Sequence, residues 1–441
     1  MADFSIGLEW VDPLDAKAPE LRATWARLSM RVGNVSLTRL FDQRLRSVRE
    51  EIFLPLYPLA EWLAENWWHL FYENVMPGRS THATFAHRHH LRYAREGFAL
   101  PELEIRPLGE AVQLDWKALS LPSYGVEFLA TGSAQSARSQ VRDEFARLIE
   151  SVLARLEQSD IRQTPLHALW ESVVALDADA VCFCRAAAAL GLHPYQLDEA
   201  SEEQILRIGN GLPPALTDGF FEAAEAQTLA AQFASLSLAL ETIRDQKIDL
   251  PDLVALRGHL ADAVQTLPFA QNRPWQDGYA AARQVRSLLN LETKRFPSLL
   301  TFFDALSPHI GPLRRVVLSG FDSSQLFDLL AAVSHRQSPG FVIDKNRDDS
   351  VKFALCRGLY EYLAADNGDA ALVTRAQNLR QMRNRAFAAE FLAPAAALAN
   401  RINRSVITSD EIDDLSAEFG VSTLVIQHQL QNHNLVTEVI P

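Results

Sequence analysis

Apolar and polar positions alternate along Phe4–Trp10, and again over residues 103–107 and 111–116, a period of two that predicts half-buried strands. Between them, residues 53–68 carry Leu59, Leu63 and Trp67 at helical spacing, continued by Leu70, with Pro58 at a position suited to a first helical turn. Trp62, Trp67 and Trp68 crowd this helix, and we read them as core packing in preference to a ligand platform, because a small domain needs bulky side chains to bury enough area. Residues 131–139, rich in Gly, Ser and Ala, predict a linker. Beyond it Val141, Phe145, Leu148, Ile149, Val152 and Leu156 mark an amphipathic helix, and the pattern stays helical to about residue 250. A helix is expected to end at Gly191, with Pro194 opening the next element. Further on, Pro274 opens a helix, and residues 315–319 and 340–344 predict strands of a small sheet. The expected architecture is α+β, predominantly helical and multidomain: a small α+β domain over residues 1–130, a helical middle domain over 140–250, and a third domain over 251–441.

Composition adds constraints. The 441 residues are 48% hydrophobic and 22% charged, which suits a folded globular chain rather than a disordered or fibrous one. A formal charge of −13 opposes a large phosphate footprint, because nucleic-acid binding depends on Lys and Arg displacing counterions, although a local basic face stays open. Cys182, Cys184 and Cys356 are odd in number and lie in apolar helical patterns, which predicts buried thiols rather than a disulfide framework. No basic segment followed by an apolar run opens the chain, and the apolar stretch 229–240 is too short and too interrupted to span a bilayer. The expected location is the cytoplasm, with no membrane contact.

Candidate chemistry is sparse. His87, His89 and His90 form the densest histidine cluster, and alternate histidines on a strand would converge on a metal if His82 or His69 joined them; a polar loop or strand edge is the favoured reading. No phosphate-binding GxxxxGK[ST], strand-following GxGxxG or G-x-S-x-G elbow occurs. Two stretches have helix-turn-helix form. In one, the helix from Glu199 opens with acidic residues that repel phosphate. In the other, residues 409–430, Ser409 caps an acidic helix, Gly420 turns the chain and Ser422 caps a second helix; Gln427, His428, Gln431, Asn432 and His433 follow, but Lys and Arg are absent from residue 405 onward, so packing is favoured over direct contact with nucleic acid.

The most informative residues lie near the C-terminus. Phe353-Ala-Leu-Cys-Arg-Gly-Leu-Tyr-Glu-Tyr-Leu363, then Phe387-Ala-Ala-Glu-Phe-Leu-Ala-Pro394, then Phe419-Gly-Val-Ser422 resemble, in that order, the zinc helix, the following helix and the closing turn of ImmA/IrrE-type metallopeptidases. The resemblance covers roughly the last 170 residues of the chain and implies a zincin-like domain with a small sheet. It makes Phe387, Ala388, Ala389, Glu390 and Pro394 the family-like structural motif. An HExxH helix works because two His four residues apart share one face and the Glu polarises metal-bound water. Here the implied positions hold Arg357 for the first His, Gly358 for the Glu, Tyr360 for the small residue and Glu361 for the second His, and residues 375–384 contain no Asp, Glu or His for the third ligand. Arg stays protonated and cannot ligate zinc. The expectation is therefore no catalytic residue, no metal and no cofactor: an inactivated peptidase-like regulator, sensor or scaffold that acts through a protein partner. Arg357 and Glu361, at i and i+4, are expected to pair across the former site while Tyr360 fills it, the plain alternative being two solvated charges on an open helix face. The competing classes are a hydrolase using the His82–His90 region and a DNA-binding regulator.

Overall fold

The computed structural model describes residues 1–11, 18–74, 82–265, 274–364, 369–402 and 406–440. The chain is α+β and 53% helical, and it divides into two compact units, Met1–Ile205 and Leu206–Pro441. Among the described residues no helix is long and apolar enough to cross a membrane.

In the first unit the alternating stretches form strands as expected. Phe4–Trp10 runs antiparallel to Trp25–Val32, which also pairs with Val35–Ser36 and Ile52–Pro55. Glu102–Leu108 and Ala111–Lys117 form an antiparallel pair extended by Gly132–Ala137. That last strand occupies the expected linker. Small residues are needed there, because a side chain at Gly132 would run into the indole of Trp116. The helix expected over residues 53–68 begins at Tyr57 and breaks at Asn66 into Tyr57–Glu65 and Trp67–Tyr72, and Trp62, Trp67 and Trp68 are all buried in the core.

The stretch 140–250, expected as a middle domain, is shared between the two units, which divide between Ile205 and Leu206. Helix Arg138–Gln158 buries Val141, Phe145, Leu148, Ile149, Val152 and Leu156 in the core of the first unit, with the Phe145 ring 5.3 Å from that of Phe4. Trp170, from helix Pro165–Val174, meets Trp67 edge-on at 4.8 Å. A helix with a single apolar stripe has to bury it against another element, and here the N-terminal strands and tryptophans supply that surface. Helix Ala178–Ala189 carries Cys184 buried but Cys182 exposed, because residues two apart point to different sides of a helix.

The second unit is built on a four-stranded mixed sheet in the order Val317–Ser319, Pro339–Ile343, Leu329–Val333, Ala370–Val373, parallel in its first pair and antiparallel in the others. Helix Asp348–Ala364 packs on this sheet, and Gly358 makes the approach possible, since a Cβ there would collide with the Leu329 side chain. Helices Pro274–Leu288 and Leu379–Leu392 cross as closely: a Cβ on Gly278 would collide with the Arg383 carbonyl oxygen and lie 2.9 Å from the Phe387 nitrogen. At the C-terminal end, Thr408 rather than Ser409 is the N-cap of helix Ser409–Phe419, in a reciprocal capping box with Glu411. Gly420, at φ 64°, ends that helix in the left-handed conformation, and Ser422 precedes Thr423–Asn432.

These contacts give opposite expectations for two helical glycines. Gly278→Ala should destabilise the protein by about 1–3 kcal/mol through overpacking against backbone that cannot yield. Gly258→Ala, in helix Pro251–Gln265 with nothing within 4 Å of the added methyl, should stabilise it by about 0.4–1 kcal/mol. Urea unfolding of both variants reads the difference, and equal effects would contradict the close crossing.

Candidate functional site

Arg357 and Glu361 lie on one face of helix Asp348–Ala364, as their spacing requires, and both are buried, at 3% and 4% exposure. They do not form the expected ion pair. Arg357 donates from Nη1 to Asp328 Oδ2 at 2.8 Å, from Nη2 to the Thr374 carbonyl and to Gln381 Oε1, each at 2.7 Å, and from Nε to Asn384 Oδ1 at 2.7 Å. Glu361 accepts from Asn384 Nδ2 and from Arg380 Nε, both at 2.7 Å. Asn384 thus stands between the two charged groups, its oxygen turned to the guanidinium and its nitrogen to the carboxylate. The reverse orientation would set donor against donor and acceptor against acceptor.

Local structure explains this register. Asn378 caps helix Leu379–Leu392 by accepting from the Gln381 backbone nitrogen at 2.7 Å, and one turn later the helix presents Gln381 and Asn384 on its buried face. Gln381 also accepts from the Thr374 nitrogen at 3.0 Å and donates to the Leu372 carbonyl at 2.9 Å, tying strand Ala370–Val373 to the same centre. Arg385, two residues before the family-like motif, donates to the Ala376 carbonyl at 2.9 Å. The stretch 375–384, which lacks Asp, Glu and His, supplies these amides instead.

The electrostatics are set by burial and by Asp328, a residue that no motif singles out. Burial works to raise the Asp328 carboxyl, but the Arg357 guanidinium and the Lys345 ammonium, 2.8 Å away, outweigh it and hold the group below the usual carboxylate range. Burial also lowers the Arg357 guanidinium from its ordinary value, with Asp328 opposing that shift. Tyr360 is only partly buried. Its ring lies 5.2 Å from that of Phe387, and burial pushes its phenol up.

The remainder of the motif has structural partners too. Phe387 and Phe391 stack at 5.6 Å, and Phe391 stacks on Phe296 at 5.9 Å. Ala388 and Ala389 are buried where the helices meet, and Pro394 precedes the short helix Ala395–Ala399. Glu390, 1% exposed, accepts from Arg283 Nε at 2.8 Å, from Gln429 Nε2 at 2.8 Å and from the Ala395 nitrogen at 3.2 Å, which anchors helix Thr423–Asn432. On that last helix the side chains considered for base contacts are partly engaged within the fold. Asn432 donates to the Tyr279 hydroxyl at 3.0 Å, and the His433 ring lies 4.6 Å from that of Tyr279.

The histidine cluster does not converge. His87 and His89 lie on helix His82–His89, where residues fan out at about 100° each, whereas His90 leaves the helix in extended conformation and forms an isolated antiparallel bridge with Glu104. The His82 side chain lies outside the described residues. His87 stacks on Tyr93 at 4.0 Å, while His90 sits 3.6 Å from both Glu102 and Glu104. His89 is fully buried between Glu73 Oε2 at 3.1 Å and the Ile105 carbonyl at 2.7 Å, and Arg88 holds Glu73 from the other side, with Nε at 2.7 Å. Burial works to raise Glu73, but the bonds from His89 and Arg88 outweigh it and bring its pKa down to about 2. Burial pushes His69 down to about 4.

Among the described residues, no group of three His, Cys, Asp or Glu is placed to hold a metal ion. The positions implied by the resemblance do not fit zinc. Arg357 is a permanent cation with its donors already engaged, Gly358 has no space for a side chain, and the Glu361 oxygens accept from Asn384 and Arg380. Comparison with protein-family models, curated proteins and solved structures returns no match for this chain.

A carboxylate largely covered by protein is costly once its counter-ion is removed. Arg357→Met leaves Asp328 without its main partner and should destabilise the protein by about 3–5 kcal/mol, while adding Asp328→Asn in the same molecule should recover part of that loss. Strictly additive losses on urea unfolding would contradict the coupling. The pH dependence has a definite sign. Because the Asp328 pKa is held down in the folded state, its contribution is present above the ordinary carboxylate range and is lost as pH falls through the folded value. Asp328→Asn should flatten the acid limb of the stability profile.

Proposed function

We propose that the second unit is a non-catalytic, peptidase-like regulatory or scaffold domain that acts by binding a protein partner. The observation that carries this reading is the guanidinium of Arg357, which stands where the resemblance calls for a zinc-binding histidine and makes four hydrogen bonds there. A group held in that way closes the centre from inside, and turnover by metal-activated water has no place in it. A domain freed from catalysis keeps its outer surface for recognition. The bacterial stress, mobile-element and defence circuits in which the resembled family acts are the setting we infer for that partner.

Elemental analysis of the purified protein, combined with mass spectrometry of what co-purifies with it from its native host, tests both halves. The expected result is zinc well below one equivalent and a specific protein that co-purifies with the wild type. Stoichiometric zinc lost in Glu361→Gln, or peptide hydrolysis abolished by that change, would overturn the proposal.

A further inference from the structure

The charge of −13 conceals a local reversal. Between residues 21 and 49 the chain carries seven arginines, no lysine and a single acidic residue, Asp42. Strand Trp25–Val32 alternates buried and outward positions, so Arg27, Ser29 and Arg31 share the outer face of the N-terminal sheet, and Arg27 and Arg31 are separated by roughly 13 Å along it. Phe53, on the neighbouring strand and in register with Arg27, faces the same way and is 44% exposed. Two guanidiniums flank its ring, Arg27 at 5.3 Å and Arg49 at 5.6 Å from the centroid. Arg49 belongs to strand Ser47–Arg49, and the turn leading into that strand carries Arg44 and Arg46, both exposed.

We propose that this face binds single-stranded nucleic acid, with Phe53 as the stacking surface for a base and Arg27, Arg31, Arg44, Arg46 and Arg49 as the track for the phosphates. A large exposed aromatic ring between cations gains little from water but stacks well on a base, and its sequence tolerance follows from every base having a π face. Guanidinium suits the purpose better than ammonium because it pairs with phosphate through two parallel donors and lies flat on rings. Three of the arginines near the face already meet carboxylates: Arg27 with Glu9 at 3.2 Å, Arg39 with Glu50 at 3.3 Å and Arg49 with Asp42 at 3.5 Å. The Arg27–Glu9 and Arg39–Glu50 pairs are exposed, contribute little and yield to a phosphate at small cost, whereas Asp42 is largely covered and holds Arg49 in place. Arg31, Arg44 and Arg46 make no ion pair among the described residues. This surface lies in the first unit and stands independently of the reading of the second.

The test is fluorescence anisotropy of the full-length protein with a labelled oligothymidylate of about 16 nucleotides. Affinity should fall roughly twenty- to hundredfold between about 50 and 200 mM salt, as three to five single-strand phosphate contacts require. Phe53→Ala should weaken binding about fivefold or more with the salt slope unchanged. The double change Arg44→Glu with Arg46→Glu should weaken it and flatten the slope, whereas Arg162→Glu, at an exposed site elsewhere on the unit, should not. Unchanged circular dichroism and melting temperature establish that each variant is folded. The proposal is overturned by absence of binding at the lower salt, by equal losses in Arg162→Glu, or by a polyglutamate peptide competing as well as the oligonucleotide, which would assign the face to acidic protein segments.

Discussion

A guanidinium buried without acceptors would be untenable, and the second unit is organised around avoiding that outcome at Arg357. Its neutralising charge comes from Asp328, at the start of strand Leu329–Val333; its remaining acceptors come from the Thr374 backbone and from Gln381 and Asn384 on the next helix. Four separate stretches of chain must therefore be in register at once. Such a requirement contributes less to net stability than to uniqueness, because removing any one partner leaves an unsatisfied polar group where water cannot replace it. Asn384 extends the arrangement to Glu361, so Arg357 and, one turn later on its helix, Glu361 are held through one amide and need no direct contact.

A second buried charge, Glu390, performs the matching role near the C-terminal end of helix Leu379–Leu392. Glu390 receives Arg283 from the crossing helix, Gln429 from the C-terminal helix and the Ala395 nitrogen from the short helix that follows it. Between the two centres, Phe387 and Phe391 continue an aromatic stack to Phe296, and Arg286 lies over both Phe296 and Phe391 while donating to carbonyls around them. The run from Arg385 to Pro394 thus has a structural explanation at nearly every position: charge, ring, small residue, charge, then helix end. Gly278 and Gly358 let backbones approach closely enough for these side chains to meet.

How much of this was legible in the sequence depended on whether the signal was periodic. The strands Phe4–Trp10, Glu102–Leu108 and Ala111–Lys117 and the helix Arg138–Gln158 expose one face and bury the other, so their patterns name them. Leu329–Val333 and Ala370–Val373 are apolar throughout and too short to tell from helix, so local pattern does not name them. Gly132–Ala137 reads as a linker for a related reason: its small residues accommodate the Trp116 indole, and that partner is invisible to local composition. The histidine cluster reads as a polar loop or strand edge, and only His90 meets that expectation, since the residues before it are helical.

Taken alone, the sequence determined that the residue at position 357 cannot ligate zinc and that the one at 358 cannot accept a proton from metal-bound water, since those are properties of arginine and glycine in any setting. It also determined where apolar stripes run, as in helix Arg138–Gln158, because those follow from local period. Only the tertiary structure decided which groups neutralise Arg357, for Asp328 lies 29 residues away and Gln381 lies 24 residues away in the opposite direction. The same holds for the arginine-rich face, where a total charge of −13 obscures what strand alternation and a neighbouring turn bring to one surface. Side-chain identity acts at once and locally, whereas charge compensation is a sum over neighbours in space, and the chain acquires those neighbours only by folding.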